Sequence, residues 1–138
     1  MIQARLLENS DYPTLVKWWK ANRFTPIGFD YLPQVNGELQ GIMVFNDTDL
    51  ICAGFIIDTT IKKGAMIEYI VANFDIKDRD LRKEAINLLI DTMCATCKAM
   101  GKTFVFTSLK NHGLQARFKD CDFVVGSKNT CEMVRVIA

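Results

Sequence analysis

The sequence predicts a single α/β domain, on three observations. The first is the stretch from Ala65 to Gly101. An apolar, β-rich run over Ala65–Val71 turns through Asn73–Asp80 and feeds one long amphipathic helix that continues to Met100. A strand feeding such a helix is half of a βαβ unit. Gly101 ends the helix and Thr103–Thr107 reads as the next strand. A right-handed crossover places that strand parallel to the first. The helix start then lies at the carboxyl end of the strands, where open α/β sheets bind ligands. The second observation is a pair of apolar runs, Glu38–Phe45 and Leu50–Asp58, joined by the turn residues Asn46–Asp49. They read as an antiparallel hairpin. The third is size. A chain of 138 residues suits one domain, residues 1–138, and buries roughly two thirds of its unfolded surface without disulfide staples.

The remaining elements follow in order. Ile2–Leu7 is a short first strand. Asn9, Ser10 and Asp11 offer an N-cap, and Pro13 suits a first helical turn. The helix Tyr12–Asn22 carries Leu15, Trp18 and Trp19 on one stripe. Thr25–Gly28 breaks it. Phe29–Asn36 is a loop or short helix, rich in aromatics, that packs over the core edge or lines a substrate mouth. Lys62–Gly64 turns into the Ala65 strand. After the Thr103 strand, Asn111–Lys119 is a short helix. Phe123–Val125 and Cys131–Ile137 close the chain as two strands, with Gly126–Asn129 turning between them. There is no repeat, low-complexity segment or linker.

Composition excludes several classes. The formal charge of +1 favours neither nucleic acid nor an anionic membrane as partner. No apolar run approaches the length of about 18 that spans a bilayer. The N-terminal residues lack a signal peptide's basic start and apolar segment, so a cytoplasmic location is expected. Five cysteines, Cys52, Cys94, Cys97, Cys121 and Cys131, are an odd number and read as free thiols. Cys94 and Cys97 form a CxxC, but at the end of the long helix, where nothing lowers a thiol pKa. His112 is the only histidine and reads as a solvent-facing turn residue, so a nucleophilic triad has little support. The acidic residues form no metal pattern, and no metal is expected.

Three stretches carry a resemblance to a known family: Met66–Val71, Asn111–Phe123 and Lys77–Ala85. With the element order, they make the chain similar to the GNAT acyltransferases, which usually move an acetyl group from acetyl-CoA to an amine. The resemblance spans nearly the whole chain. It implies a mixed, mostly antiparallel twisted sheet of six to seven strands, with a central parallel pair flanked by helices. Met66–Val71 resembles the family's fourth strand, which is splayed from the fifth and often carries a glutamate acting as general base through water. The resemblance gives that task to Glu68, and gives backbone contacts with the cofactor to Ile70, Val71 and Ala72. Taken by itself, Glu68 has two readings. A carboxylate in an apolar strand is costly unless it is paired or wet, and burial raises its pKa toward the range of a useful base. The other reading is a Glu paired with a neighbouring-strand Lys or a backbone group.

Asn111 and Phe123 match a family pattern of Asn, helix, Tyr and a closing Gly-Phe, and the resemblance gives Asn111 to the cofactor. The family's Tyr, commonly the general acid, falls on Phe118, and its Gly on Asp122. Phenylalanine has no proton to give, so Ser108, Cys121, Tyr69 or water must protonate the thiolate. Ser108 ends the fifth strand near the expected thiolate, although the plainer reading is a turn residue.

The phosphate loop departs most from the pattern. The family's glycines let backbone amides approach the diphosphate at a helix N-terminus. Here Lys77–Ala85 contains no glycine. Lys77, Arg79, Arg82 and Lys83 are left to hold a diphosphate through side chains, opposed by Asp78, Asp80 and Glu84. Trp18 and Trp19, Leu32 and Pro33, and the Glu68 strand resemble short GNAT-like proteins frequent among bacteriophage genes, for which the location is the host cytoplasm. Two functions stay open: an N-acyltransferase using acetyl-CoA on an unidentified amine, small molecule or protein, and a catalytically degenerate GNAT-fold protein that binds or inhibits a host protein. Pairing through sheet edges or the C-terminal hairpin makes a homodimer a further expectation.

Overall fold

The structure, a computed structural model, describes residues 1–137. The elements are β1 (Gln3–Leu6), a 3-10 turn (Asn9–Asp11), α1 (Tyr12–Ala21), a second 3-10 turn (Phe29–Tyr31), β2 (Gln34–Val35), β3 (Glu38–Leu39), β4 (Gly41–Phe45), β5 (Leu50–Asp58), β6 (Gly64–Ala72), α2 (Arg79–Ala99), β7 (Phe104–Phe106) and α3 (His112–Asp120). Five strands form the main sheet in the order β1-β4-β5-β6-β7, and β2 with β3 makes a separate two-stranded ribbon. All pairs are antiparallel except β6 with β7, which are parallel. The expected mixed, mostly antiparallel fold is present, and the βαβ crossover through α2 supplies its parallel pair.

Both faces of the sheet are covered, which is why β4 and β5 read as unbroken apolar runs and not as alternating ones. On one face, Ala85, Leu89, Ile90, Met93 and Cys97 of α2 pack against Ile42, Val44, Cys52, Ile56, Ala65 and Ile67. Their helical spacing puts them on one stripe of α2. On the other face, Leu15, Trp18 and Trp19 of α1 cover Met43, Ala53, Phe55 and Val71. Helix α2 starts where the Asp78 carboxylate accepts hydrogen bonds from the N–H groups of Asp80 and Leu81, both 3.1 Å. It stops at Gly101, whose φ of +86° suits the left-handed C-terminal position that glycine takes without strain. Lys102 then ties the base of the parallel pair. Its ammonium lies 2.7 Å from Asp58 Oδ1 and donates to the carbonyls of Ile61 and Lys62.

Two segments differ from expectation. Phe29–Asn36, read as a loop or short helix, divides into the 3-10 turn and β2, and Glu38–Phe45 divides into β3 and β4. The cause is Asn36-Gly37, with φ of +53° and +80°, a pair that favours a tight hairpin turn. The second difference lies at the C-terminus. Phe123–Val125 and Cys131–Ile137, expected as two closing strands, form none. A strand needs a partner for its backbone N–H and C=O groups, and this segment does not return to β7. The parallel pair therefore stands at the edge of the sheet. Among the described residues, no helix is long and apolar enough to cross a membrane.

One ion pair anchors the N-terminal layer. Arg5 binds Asp11 through two nitrogens, each 2.9 Å from a carboxylate oxygen, and the Glu8 N–H donates to Asp11 Oδ2 at 2.8 Å. Burial pushes the Asp11 pKa up, but the Arg5 hydrogen bonds, the Glu8 N–H and the Arg5 charge outweigh it and hold the acid below its ordinary value of 3.8. A depressed carboxylate contributes stability above its unfolded pKa and loses it as pH falls through the folded one. Asp11→Ala is therefore expected to cost about 1–3 kcal/mol at neutral pH. Urea titrations of both proteins should converge below pH 3.8.

Candidate active site

Strand β6 is interrupted midway along its pairing with β5. Ala53 of β5 lies opposite Val71, but Phe55 lies opposite Glu68. Tyr69 and Ile70 thus face the single residue Gly54, and this is a β-bulge. Tyr69 takes φ +58°, a strained value for a bulky residue. The bulge needs a glycine opposite it. A Cβ on Gly54 would meet the Met93 thioether at 3.0 Å and Ile70 Cγ1 at 3.1 Å. Phe55 braces the bent segment from the α1 side, its ring edge-to-face with Tyr69 at 6.2 Å.

The bend opens the parallel pair. Strands β6 and β7 are in register only over Gly64–Met66 and Phe104–Phe106. Past that point they are joined by side chains. The Thr107 hydroxyl donates to the Ile67 carbonyl at 2.7 Å, and the Ser108 backbone N–H lies on the same side as the Glu68 carboxylate and pulls its pKa down. A cleft of about 330 Å³ opens between the two strand ends. Ile67, Glu68, Tyr69 and Ile70 line one wall, and Thr107 through Asn111, with Leu114 and Phe24, line the other. That volume is in the range of small-molecule sites.

Glu68 sits half-buried in this cleft. Burial pushes its pKa above the ordinary 4.5, the Ser108 N–H pulls it down, and the charge of Glu132 pushes it up again. The net rise puts Glu68 closer to neutrality, as a proton acceptor requires. The influence that lowers its pKa is a backbone amide, and no lysine acts on it.

The structure brings Glu68, Ile70, Ser108 and Asn111 to one cleft. Asn111 does a second task there. Its side chain accepts from the Leu114 N–H at 2.8 Å and caps α3. Val71 and Ala72 lie past the bulge, paired with Ala53 and Cys52 of β5, and Val71 is buried against α1. The four basic residues sit together around the start of α2, in different states. Arg82 is turned back onto the Ile76 carbonyl at 3.0 Å, and the Lys77 ammonium lies 3.8 Å from the centre of the Phe74 ring. Arg79 and Lys83 are exposed. The helix amides that would meet a phosphate, those of Asp80 and Leu81, already bind the Asp78 carboxylate.

Among the candidate proton donors, Tyr69 and Ser108 line the cleft. Cys121 does not. Its thiol points to the Asn87 carbonyl at 3.6 Å and is pushed up to about 12, first by burial and then by Asp91. Phe118 is buried, its ring edge-to-face with Phe123 at 4.9 Å. Cys94 is pushed up to about 11 and Cys52 to about 12, mainly by burial, so both hold their protons at neutral pH as inert core thiols. Thr107, Leu109, Lys110, Leu114 and Phe24 are cleft residues that the sequence did not single out. Gly54 inside an apolar run was the available sign of a bulge, and Thr107 has no comparable sign.

No protein-family profile matches the chain, and no curated protein does. Solved structures do match. The ribosomal-protein-S18-alanine N-acetyltransferase of Escherichia coli superposes with a TM-score of 0.71 at 14% identity, over 92% of this chain and 80% of that one. A ribosomal-protein-alanine N-acetyltransferase of Brucella melitensis gives 0.63 at 11%, over 98% and 99%. The N-acetylglutamate synthase of Neisseria gonorrhoeae, solved with coenzyme A and L-arginine, gives 0.67 at 12%; 96% of this chain is covered, and 29% of that larger one. By these superpositions the chain has the fold of the GNAT N-acetyltransferases.

Proposed function

We propose that the chain is an N-acyltransferase that moves an acetyl group, or a related acyl group, from acetyl-CoA to an amine in the cytoplasm. The observation that carries this reading is a half-buried carboxylate with a raised pKa in the cleft of a splayed parallel pair. In the reaction, Glu68 takes a proton from the acceptor amine through a water, and the amine nitrogen attacks the thioester carbon. A backbone N–H near Ile70 or Val71 holds the oxyanion. The tetrahedral centre collapses with loss of the C–S bond, and the leaving thiolate takes a proton from the Tyr69 phenol or from water. Ser108 tunes the base, because its N–H pulls the Glu68 pKa down against the push of burial.

The cofactor's acyl end has a place in the cleft. Its diphosphate has no backbone cradle, because Asp78 occupies the helix amides, so Lys77, Arg79 and Lys83 hold it through side chains. The same Asp78 cap favours a second reading, a degenerate GNAT-fold protein that binds a protein partner without the cofactor. Thermal shift with acetyl-CoA separates the two. Ligand at about a hundred times its Kd stabilises by roughly 2.7 kcal/mol, which raises Tm by about 5–10 °C for a domain of this size. That shift is the expected result. An unchanged Tm at millimolar acetyl-CoA would remove the transferase reading and leave the binding one.

A further inference from the structure

The α1 side of the sheet carries a second hollow, which shares no residue with the cleft. Its volume of about 300 Å³ is at the lower end for small-molecule sites. One wall is a face of α1, where Thr14, Lys17, Trp18 and Ala21 follow one another at helical spacing. The other wall is the turn that leaves β6, Asn73 to Asp75, with Leu50 beside it. Hydrogen bonds hold this turn in place. The Asn73 side chain donates to the Leu50 carbonyl at 2.9 Å and accepts the Asp75 N–H at 3.0 Å. The Asn73 backbone N–H donates to the Ile51 carbonyl at 2.8 Å. The Asn22 side chain, at the end of α1, donates to the Ala72 carbonyl at 3.1 Å and ties the two walls together.

The lining combines an apolar floor with two opposite charges. Trp18 is buried, while Phe74 stays 46% exposed at the rim with the Lys77 ammonium 3.8 Å from its ring centre. Lys17 brings a cation from one wall and Asp75 an anion from the other. Among the described residues neither of them is in an ion pair. Asp75 repels a ligand that is only an anion, and Lys17 repels one that is only a cation. A small ligand that carries both charges and an apolar body meets every part of the lining. We propose that this hollow binds a free α-amino acid with an apolar side chain. Its carboxylate lies against Lys17 and the Thr14 hydroxyl, its ammonium against Asp75, and its side chain on Trp18, Leu50 and Phe74. The bound amino acid is not the acyl acceptor, because Glu68 is not part of this lining.

Trp18 supplies the readout. L-Leucine titrated into the full chain should change the tryptophan emission and saturate, with a midpoint on the order of 1 mM. The amide signals of Phe74 and Asp75 in a nitrogen–proton correlation spectrum should move with the same midpoint. Isoamylamine is leucine without its carboxylate, and isocaproate is leucine without its ammonium. Each loses one charge-assisted contact and should bind at least about tenfold more weakly. Lys17→Met and Asp75→Asn should each weaken leucine binding by a similar factor. Both side chains are exposed, so far-UV circular dichroism should be unchanged. Emission and amide signals that stay still at on the order of 10 mM leucine overturn the proposal. So does binding that ignores both substitutions, or equal binding of leucine and either of its two analogues. The cleft is lined by no tryptophan and no arm uses acetyl-CoA, so the outcome is independent of the transferase reading.

Discussion

Glu68→Gln is expected to lower kcat/KM for acetyl transfer by about 10²–10⁴-fold, the usual contribution of a positioned general base. Glutamine keeps the shape of the side chain, so the loss reports the missing basicity and not a collapsed cleft. The pH profile carries the sharper signature. In the parent protein the rate should rise with pH through the raised Glu68 pKa, and the variant should lose that limb. Stability should move the other way. A carboxylate whose folded pKa lies above its unfolded one binds an extra proton in the folded state. Its presence therefore destabilises the fold progressively as pH rises from about the ordinary 4.5 to the raised value. At neutral pH the Gln variant should melt no lower than the parent. A residue that costs stability and supports rate is what a functional carboxylate looks like. Full activity in the Gln variant would remove the base assignment.

Phe55→Ala is expected to give the largest loss of stability, about 3–5 kcal/mol, out of the 5–15 kcal/mol typical of a domain. Phe55 is fully buried, packed in one cluster with Leu15, Trp18 and Trp19 of α1 and Met43 and Ala53 of the sheet. The denaturation midpoint should fall with Tm lower by about 10–20 °C. The ring also supports the strained Tyr69 from beneath. Residual activity, measured well below the new Tm, should therefore drop as well, because the bulge that opens the cleft loses its brace. A midpoint within experimental error of the parent would show that the α1 face can repack, and would undo this account of the bulge.

The parts of the fold that were legible in the sequence are those decided locally. The apolar stripe from Ala85 to Cys97 and Gly101 mark a face and a stop, and α2 buries the one and ends at the other. The hairpin strand Leu50–Asp58 has the ends that its turn residues predict. Asn36-Gly37 was not read as a hairpin turn, because the strands beside it are two residues each, too short to show alternation. The tail failed for a different reason. The β propensity of Val134 and Val136 is real, yet pairing depends on where the chain goes and not on what it contains. In the site, Glu68 was visible as a carboxylate inside an apolar strand, and Ser108 and Asn111 as polar residues past a strand end and before a helix. The bulge was not, because no propensity places a tyrosine at positive φ. That conformation is forced by Gly54 across the strand, Met93 beneath it and Phe55 beside it. The Asp78 cap was visible only as one of several charges, and its hold on two helix amides is a matter of geometry.

The two layers around the sheet differ in optical character. Both tryptophans of the chain, Trp18 and Trp19, lie on the α1 side, and the cleft is lined without either. Indole emission therefore senses one layer alone, while helical ellipticity comes chiefly from the 21-residue α2 on the other. Two probes of one short chain thus watch opposite sides of a shared sheet, and the spacing between their melting transitions measures how firmly that sheet couples them.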